Sequence, residues 1–101
     1  MSFTVTVTFD IHNSEDVDYD EITKLLESIK LYKSVKSDKN KVIELPNNTY
    51  FGEFDSPQIE SAGDLRDRVI DWIEKEFKKQ NLSSNIFIVI GGDWALGCKT
   101  T

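Results

Sequence analysis

Apolar and polar residues alternate along the first stretch of the chain. Phe3, Val5, Val7, Phe9 and Ile11 alternate with Thr4, Thr6, Thr8 and Asp10. A period of two predicts a strand with one buried face. Threonine and acid on the other face predict that it meets water, as in an antiparallel sheet covered on one side only. The period then changes to helical. Ile22, Leu25, Leu26, Ile29 and Tyr32 form one apolar stripe, and Asp18 with Glu21 reads as an N-cap and its capping-box partner. The expected helix runs to about Tyr32, with early acids and late lysines matching its dipole.

Residues 33–54 read as a hairpin. A short strand around Val35 meets a turn at Ser37-Asp38-Lys39-Asn40, and strand signal resumes at Val42-Ile43-Glu44-Leu45. Pro46 marks an edge or bulge because it has no N–H for a ladder bond. Tyr50-Phe51-Gly52-Glu53-Phe54 continues the extended stretch until Asp55-Ser56-Pro57 breaks it. Ser61-Ala62-Gly63-Asp64 is a second capping signature. The helix after it carries Leu65, Val69, Trp72, Ile73 and Phe77 on one stripe and ends near Gln80-Asn81. The unbroken apolar run Ile86-Phe87-Ile88-Val89-Ile90, bounded by Gly91-Gly92, predicts a central strand. Trp94-Ala95-Leu96 is a bulged continuation or a short fifth strand.

This order, strand-helix-strand-strand-helix-strand, is the split βαβ arrangement. The expected fold class is therefore α+β: a ferredoxin-like βαββαβ two-layer sandwich, an antiparallel sheet with both helices on one face. Residues 1–101 form one domain of ordinary size. No apolar run is long enough for a membrane helix, and Met1-Ser2-Phe3-Thr4 does not read as a secretory leader. The lone Cys98 excludes an internal disulfide and any multi-cysteine metal site. A cytoplasmic protein is expected.

The net charge is −6, and its distribution is uneven. Asp10, Glu15, Asp16, Asp18, Asp20 and Glu21 lie in a stretch with no Lys or Arg. Lys24, Lys30, Lys33, Lys36, Lys39 and Lys41 follow, and carboxylates dominate again from residue 42 to residue 74. A net acid balance disfavours broad binding to phosphate backbones and favours basic partners or simple solubility.

Candidate chemistry is sparse. Asp16, Asp18 and Asp20 have the oxygen spacing of a calcium loop with Glu27 at its twelfth position, but Glu21 stands where that loop needs glycine. An acidic helix start explains the same residues, so no metal and no cofactor is expected. His12 is the only histidine and would serve as a general base only if the fold supplied a partner. Gly91-Gly92 after a strand suggests a phosphate turn, yet too few residues follow for the helix that such a turn requires. Lys33, Lys36 and Lys39, with Tyr32, are the candidate RNA contacts. The threonine face of the first strand argues against a broad sheet-surface RNA site.

The hairpin followed by Lys41-Val42-Ile43-Glu44-Leu45-Pro46-Asn47-Asn48-Thr49-Tyr50 resembles small bacterial and phage proteins grouped with the GhoS-type antitoxin. In residues the likeness rests on Leu45-Pro46 and Tyr50. It implies a ferredoxin-like fold and, from the namesake of the family, cleavage of the messenger of a membrane toxin. No catalytic motif of that family maps onto this chain, so no catalytic residue is assigned.

Two functions follow as expectations. The first is a small acidic regulatory or inhibitory protein, antitoxin-like or anti-defence and encoded by a phage or mobile element. It would bind the basic surface of a protein partner through Asp10, Glu15, Asp16, Asp18, Asp20 and Glu21. The alternative is a metal-independent endoribonuclease of the antitoxin type, with His12, Lys33 and Lys36 as candidates. A homodimer through the edge near Val35 or through residues 94–96 is compatible with either.

Overall fold

The computed structural model describes residues 2–12, 17–36, 40–55 and 61–92. The elements are β1 (Ser2–Ile11), α1 (Tyr19–Ser28), β2 (Ser34–Lys36), β3 (Val42–Glu44), β4 (Thr49–Asp55), α2 (Ala62–Lys79) and β5 (Ser84–Gly91). The class is mixed α+β, with two helices and a three-stranded antiparallel sheet in the order β4-β1-β5. A second, two-stranded sheet pairs β2 with β3.

The alternation read in the first strand is the organising feature of the core. Val5 and Val7 are fully buried, and Phe3 and Phe9 nearly so. They join Ile22 and Leu26 of α1 and Leu65, Val69, Ile73 and Phe77 of α2 in one apolar cluster. Each such aliphatic side chain removed from water contributes roughly 1.5–3 kcal/mol. The Phe9 ring sets the contact geometry, stacking on Tyr50 at 5.7 Å and meeting Phe77 edge-on at 5.3 Å.

Both capping signatures form. The Asp18 carboxylate accepts the Glu21 N–H at 3.2 Å, and Ser61 Oγ accepts the Asp64 N–H at 3.1 Å. The first helix is shorter than the apolar stripe suggests. It ends at Ser28, where Lys30 takes a left-handed φ of 67°. The Lys30 N–H reaches the Glu27 carbonyl and the Leu31 N–H reaches the Leu26 carbonyl, the paired bonds of a Schellman cap. No lysine lies in the last turn of α1, so the expected match of late lysines to the dipole is corrected. Tyr32 belongs to extended chain, where its N–H and C=O exchange bonds with Phe51 at 2.9 Å each. The second helix ends as expected, with Asn81 as the left-handed residue of its cap.

The hairpin between the helices holds one strand more than the sequence suggests. Val42 to Phe54 is not one extended edge with a bulge at Pro46. The Thr49 N–H bonds back to the Pro46 carbonyl at 3.1 Å, and Asn48 has a φ of 61°. This turn sends β3 to one sheet and β4 to the other. The element order is therefore βαβββαβ rather than βαββαβ. Among the described residues one isolated bridge, Tyr32–Phe51, links the two sheets.

The expectation of a central strand at Ile86–Ile90 is also corrected. Among the described residues β5 pairs with β1 alone, and β1 is the central strand. Ile86, Ile88 and Ile90 are half-buried against the core, while Phe87 and Val89 face outward and are exposed. Both faces of the strand are apolar, so periodicity could not separate an edge strand from a central one. Trp94-Ala95-Leu96 and Cys98 lie outside the described residues.

Candidate functional site: the outer face and edges of the sheet

Among the described residues the helices cover one face of the three-stranded sheet and no helix covers the other, where Thr8 and Asp10 are exposed and Thr4 is buried. Strand register shows what this outer face displays. Thr6 of β1 lies between Phe51 of β4 and Val89 of β5, and Thr8 lies between Thr49 and Phe87. Tyr32 extends the first row through its bridge to Phe51. The outer face therefore carries an oblique apolar stripe of Tyr32, Phe51, Val89 and Phe87 across a threonine centre. Phe87 is 63% exposed, Val89 49% and Tyr32 44%. Large apolar groups in such a stripe mark binding surfaces more often than scattered single ones do. The sequence pattern of β1 alone missed it, because the aromatic residues come from the flanking strands.

Charge is distributed at the ends of this face. Asp10 closes the β1 row opposite Asn85, diagonal to Phe87. Such diagonal neighbours lie roughly 7–8 Å apart, within reach of one partner side chain. Glu53 and Asp55 occupy the other end of the face on β4, opposite Thr4 and Ser2. Asp18, Asp20 and Glu21 are exposed at the start of α1, at the end of the molecule where β1 finishes. Asp10 thus shares an end with them but lies on the sheet face away from the helices. Glu15 and Asp16 of the expected acidic contact lie outside the described residues.

The basic candidates form a separate border. A groove of about 280 Å³ is lined by Lys30, Tyr32, Lys36, Phe51, Gly52 and Glu53, among others. It opens where β2 parts from β4 after the Tyr32 bridge. Lys30 and Lys36 form no ion pair with any described residue, unlike Lys78 with Glu74 and Lys79 with Glu76. Lys33 is exposed but is not part of the groove, and Lys39 lies outside the described residues. Gly52 is required here. A Cβ on it would stand 2.2 Å from the Lys30 carbonyl oxygen, a collision between two backbone segments.

His12 sits at the far end of β1. Its N–H donates to the Ser83 carbonyl at 2.8 Å, and its ring Nδ1 lies 3.4 Å from Ser83 Oγ. The strand order puts β4 between it and the lysines of β2. No contact brings His12, Lys33 and Lys36 together. Among the described residues no group of three or more His, Cys, Asp or Glu side chains is placed to hold a metal ion. Asp18, one of the acids with calcium-loop spacing, serves as a helix cap.

The two sheet edges differ in backbone terms. On β4, the residues facing β2 are the odd ones, as the Phe51–Tyr32 exchange shows. On β5 the parity is set by the His12 N–H bonding the Ser83 carbonyl. The N–H and C=O groups of Asn85, Phe87 and Val89 therefore face β1, and those of Ser84, Ile86, Ile88 and Ile90 face outward. Among the described residues these outward groups have no partner. No described helix is long and apolar enough to cross a membrane. Comparison of the chain with protein-family models, with curated proteins and with solved structures finds no match.

Proposed function

We propose that this is a small acidic regulatory or inhibitory protein of the cytoplasm that acts by binding another protein. The contact surface would be the outer sheet face around Phe87, Val89 and Asp10, continued by Asp18, Asp20 and Glu21. The observation that carries this reading is the exposure of Phe87 and Val89 beside a carboxylate on a chain of net charge −6. Apolar anchors supply affinity at protein interfaces, while a border of one charge sign steers the encounter. The fitting partner has a basic surface and an aliphatic or aromatic side chain to seat on Phe87. Nucleic acid fits this surface less well, because Asp10, Glu53 and Asp55 would oppose phosphates across the same face.

The layout is read as ferredoxin-like with one inserted strand. In support, the Tyr32–Phe51 bridge sets the chain that leads into β2 beside β4, next to the β4-β1-β5 sheet.

The test is recovery of partners from native host lysate at low and moderate salt, with an RNase-treated control. Three baits are compared: the natural chain, Phe87→Ser, and the triple variant Asp10→Asn, Asp18→Asn, Asp20→Asn. A protein that survives RNase, weakens with salt and is lost with both variants supports the reading. Recovery unchanged in both variants overturns it.

A metal-independent endoribonuclease is the second reading, favoured only by the groove that sets Lys30 and Lys36 beside Tyr32. Cleavage of single-stranded RNA in chelator, lost in Lys36→Ala, would support it. Cleavage that persists in that variant would remove the groove as its site.

A further inference from the structure

The edge of β5 has an unusual composition. Natural sheets protect an edge strand with charge, proline, a bulge or a cover, because its free N–H and C=O groups pair with any extended chain. Residues Ser84–Gly91 read SNIFIVIG and contain no charged residue and no proline. Their pairing with β1 is continuous from Ile11–Ser84 to Thr4–Gly91, without a bulge. Among the described residues nothing pairs with the outward groups of this strand, and Ile86, Ile88 and Ile90 are only half-buried on the side that faces the helices.

We propose that the β5 edge pairs antiparallel with β5 of a second copy of this chain, giving a two-fold dimer with one continuous sheet. Charge selects this occupant. The rest of the surface repels a second copy at net −6, but the strand itself is neutral, so identical strands meet there without like-charge opposition. A two-fold contact must also be self-complementary, and an uncharged strand is so by construction. The main-chain contact proposed here is the strand edge and that of the partner above is the outer face; Phe87 borders both, so Ile88→Pro and the cysteine pair, not Phe87→Ser, test the dimer.

Backbone parity fixes the register. Only Ser84, Ile86, Ile88 and Ile90 present outward groups, so hydrogen-bonded pairs join even-numbered residues to even-numbered ones. The two-fold register that keeps all four inside the strand pairs Ile86 with the partner's Ile88, and Ser84 with the partner's Ile90. This gives about eight main-chain hydrogen bonds. It places Phe87 directly opposite the partner's Phe87 at a non-hydrogen-bonded site, where the Cα atoms are about 4.5 Å apart. It also brings the partner's Ile90 beside Ser84. There a groove of about 450 Å³ lined by Ile70, Phe77, Leu82 and Ile86, with the paired Glu74 and Lys78, opens between α2 and β5.

The register makes a sharp cross-linking test. Two β5 strands paired about Phe87 put the Cα atoms of Phe87→Cys within the disulfide window of about 4.4–6.8 Å. Val89→Cys would stand about 14 Å from its copy along the strands. Both variants are made on a Cys98→Ser background and oxidised mildly at concentrations that bracket association. Sedimentation equilibrium follows the natural chain and Ile88→Pro. That proline removes an outward N–H and leaves the β1 ladder intact. The expected results are a concentration-dependent dimer, association weakened about tenfold or more by Ile88→Pro, and covalent dimer from Phe87→Cys but not Val89→Cys. A monomer at every concentration up to about 1 mM overturns the proposal. So does a dimer that cross-links equally through Val89→Cys. Should Ile88→Pro fail to fold, the cysteine pair alone decides, since both of its positions are exposed and need no change in packing.

Discussion

On the β4 side of the sheet, the chain guards its edge several times over. Tyr32 bonds Phe51, the Pro46 turn diverts β3 to a second sheet, and Glu53 and Asp55 put charge on the strand itself. On the β5 side, eight neutral residues end the sheet with no such device among the described residues. Both strands are antiparallel to the same central strand and bury one face against the same cluster. The difference therefore does not come from what the core requires. A guarded edge costs little to build, because β4 needs only charges and a turn. Leaving β5 unguarded risks aggregation, so an intact protein with such an edge points to an occupant.

The largest effect is expected on the guarded side. Gly52→Ala drives a Cβ into the Lys30 carbonyl and should destabilise by about 3 kcal/mol in urea unfolding. Gly91→Ala, at the open side, meets only Thr4 Oγ1 at 3.1 Å and should cost under about 1 kcal/mol. Equal losses would mean that the two edges are equally constrained.

Tyr50 ties the guarded strand to α1 through its 2.8 Å hydrogen bond with Thr23 Oγ1. Tyr50→Phe should cost about 1 kcal/mol near neutral pH. Burial pushes the Tyr50 phenol above its ordinary value of 10.0, the Thr23 bond partly offsets this, and Glu27 adds to the rise. The folded pKa is raised, so this contribution is complete below about pH 10 and is lost as pH rises through the folded value. Tyr50→Phe should therefore flatten the alkaline limb of a stability–pH profile, and an unchanged limb would contradict the assignment.

A smaller effect of opposite sign is expected at Lys30. A lysine in the left-handed cap position is disfavoured relative to glycine, so Lys30→Gly should stabilise by roughly 0.5–1 kcal/mol. Loss of stability in thermal unfolding would show that the lysine side chain contributes more than its backbone costs. Least of all should Phe87→Ser matter to the isolated fold. Its ring is exposed, so the change should stay within about 0.5 kcal/mol while association falls. A large loss of stability at low concentration would mean that Phe87 is a core residue.

Much of this was legible in the chain itself. The buried set Phe3, Val5, Val7 and Phe9, both N-caps and the stripe of the second helix read correctly because each is a local pattern with a local cause, whereas Thr4, on the face expected to meet water, is buried. The end of α1 did not read correctly, because Ile29 and Tyr32 extend the helical spacing while Lys30 breaks it with a conformation that glycine or asparagine would have announced. Pro46 signalled an interruption but not a change of sheet, since that depends on which strand Tyr50 and Phe51 meet. The site was less legible still. Asp10 was named from charge, but Phe87 and Val89 were read only as part of a central strand, and their pairing with β1 shows that they face outward. The stripe runs from the isolated bridge residue Tyr32 across β4, β1 and β5 and has no signature within any one of these segments.

The most direct measurement is residue-resolved amide hydrogen exchange along β5 as protein concentration is varied. An open edge that accepts a second copy predicts alternation in dilute solution. Asn85, Phe87 and Val89 should be protected by their bonds to β1, and Ile86, Ile88 and Ile90 should exchange rapidly, then gain protection as the dimer fills. Rapid exchange of Ile86, Ile88 and Ile90 at every concentration, or uniform protection of all six amides in dilute solution, would contradict the account.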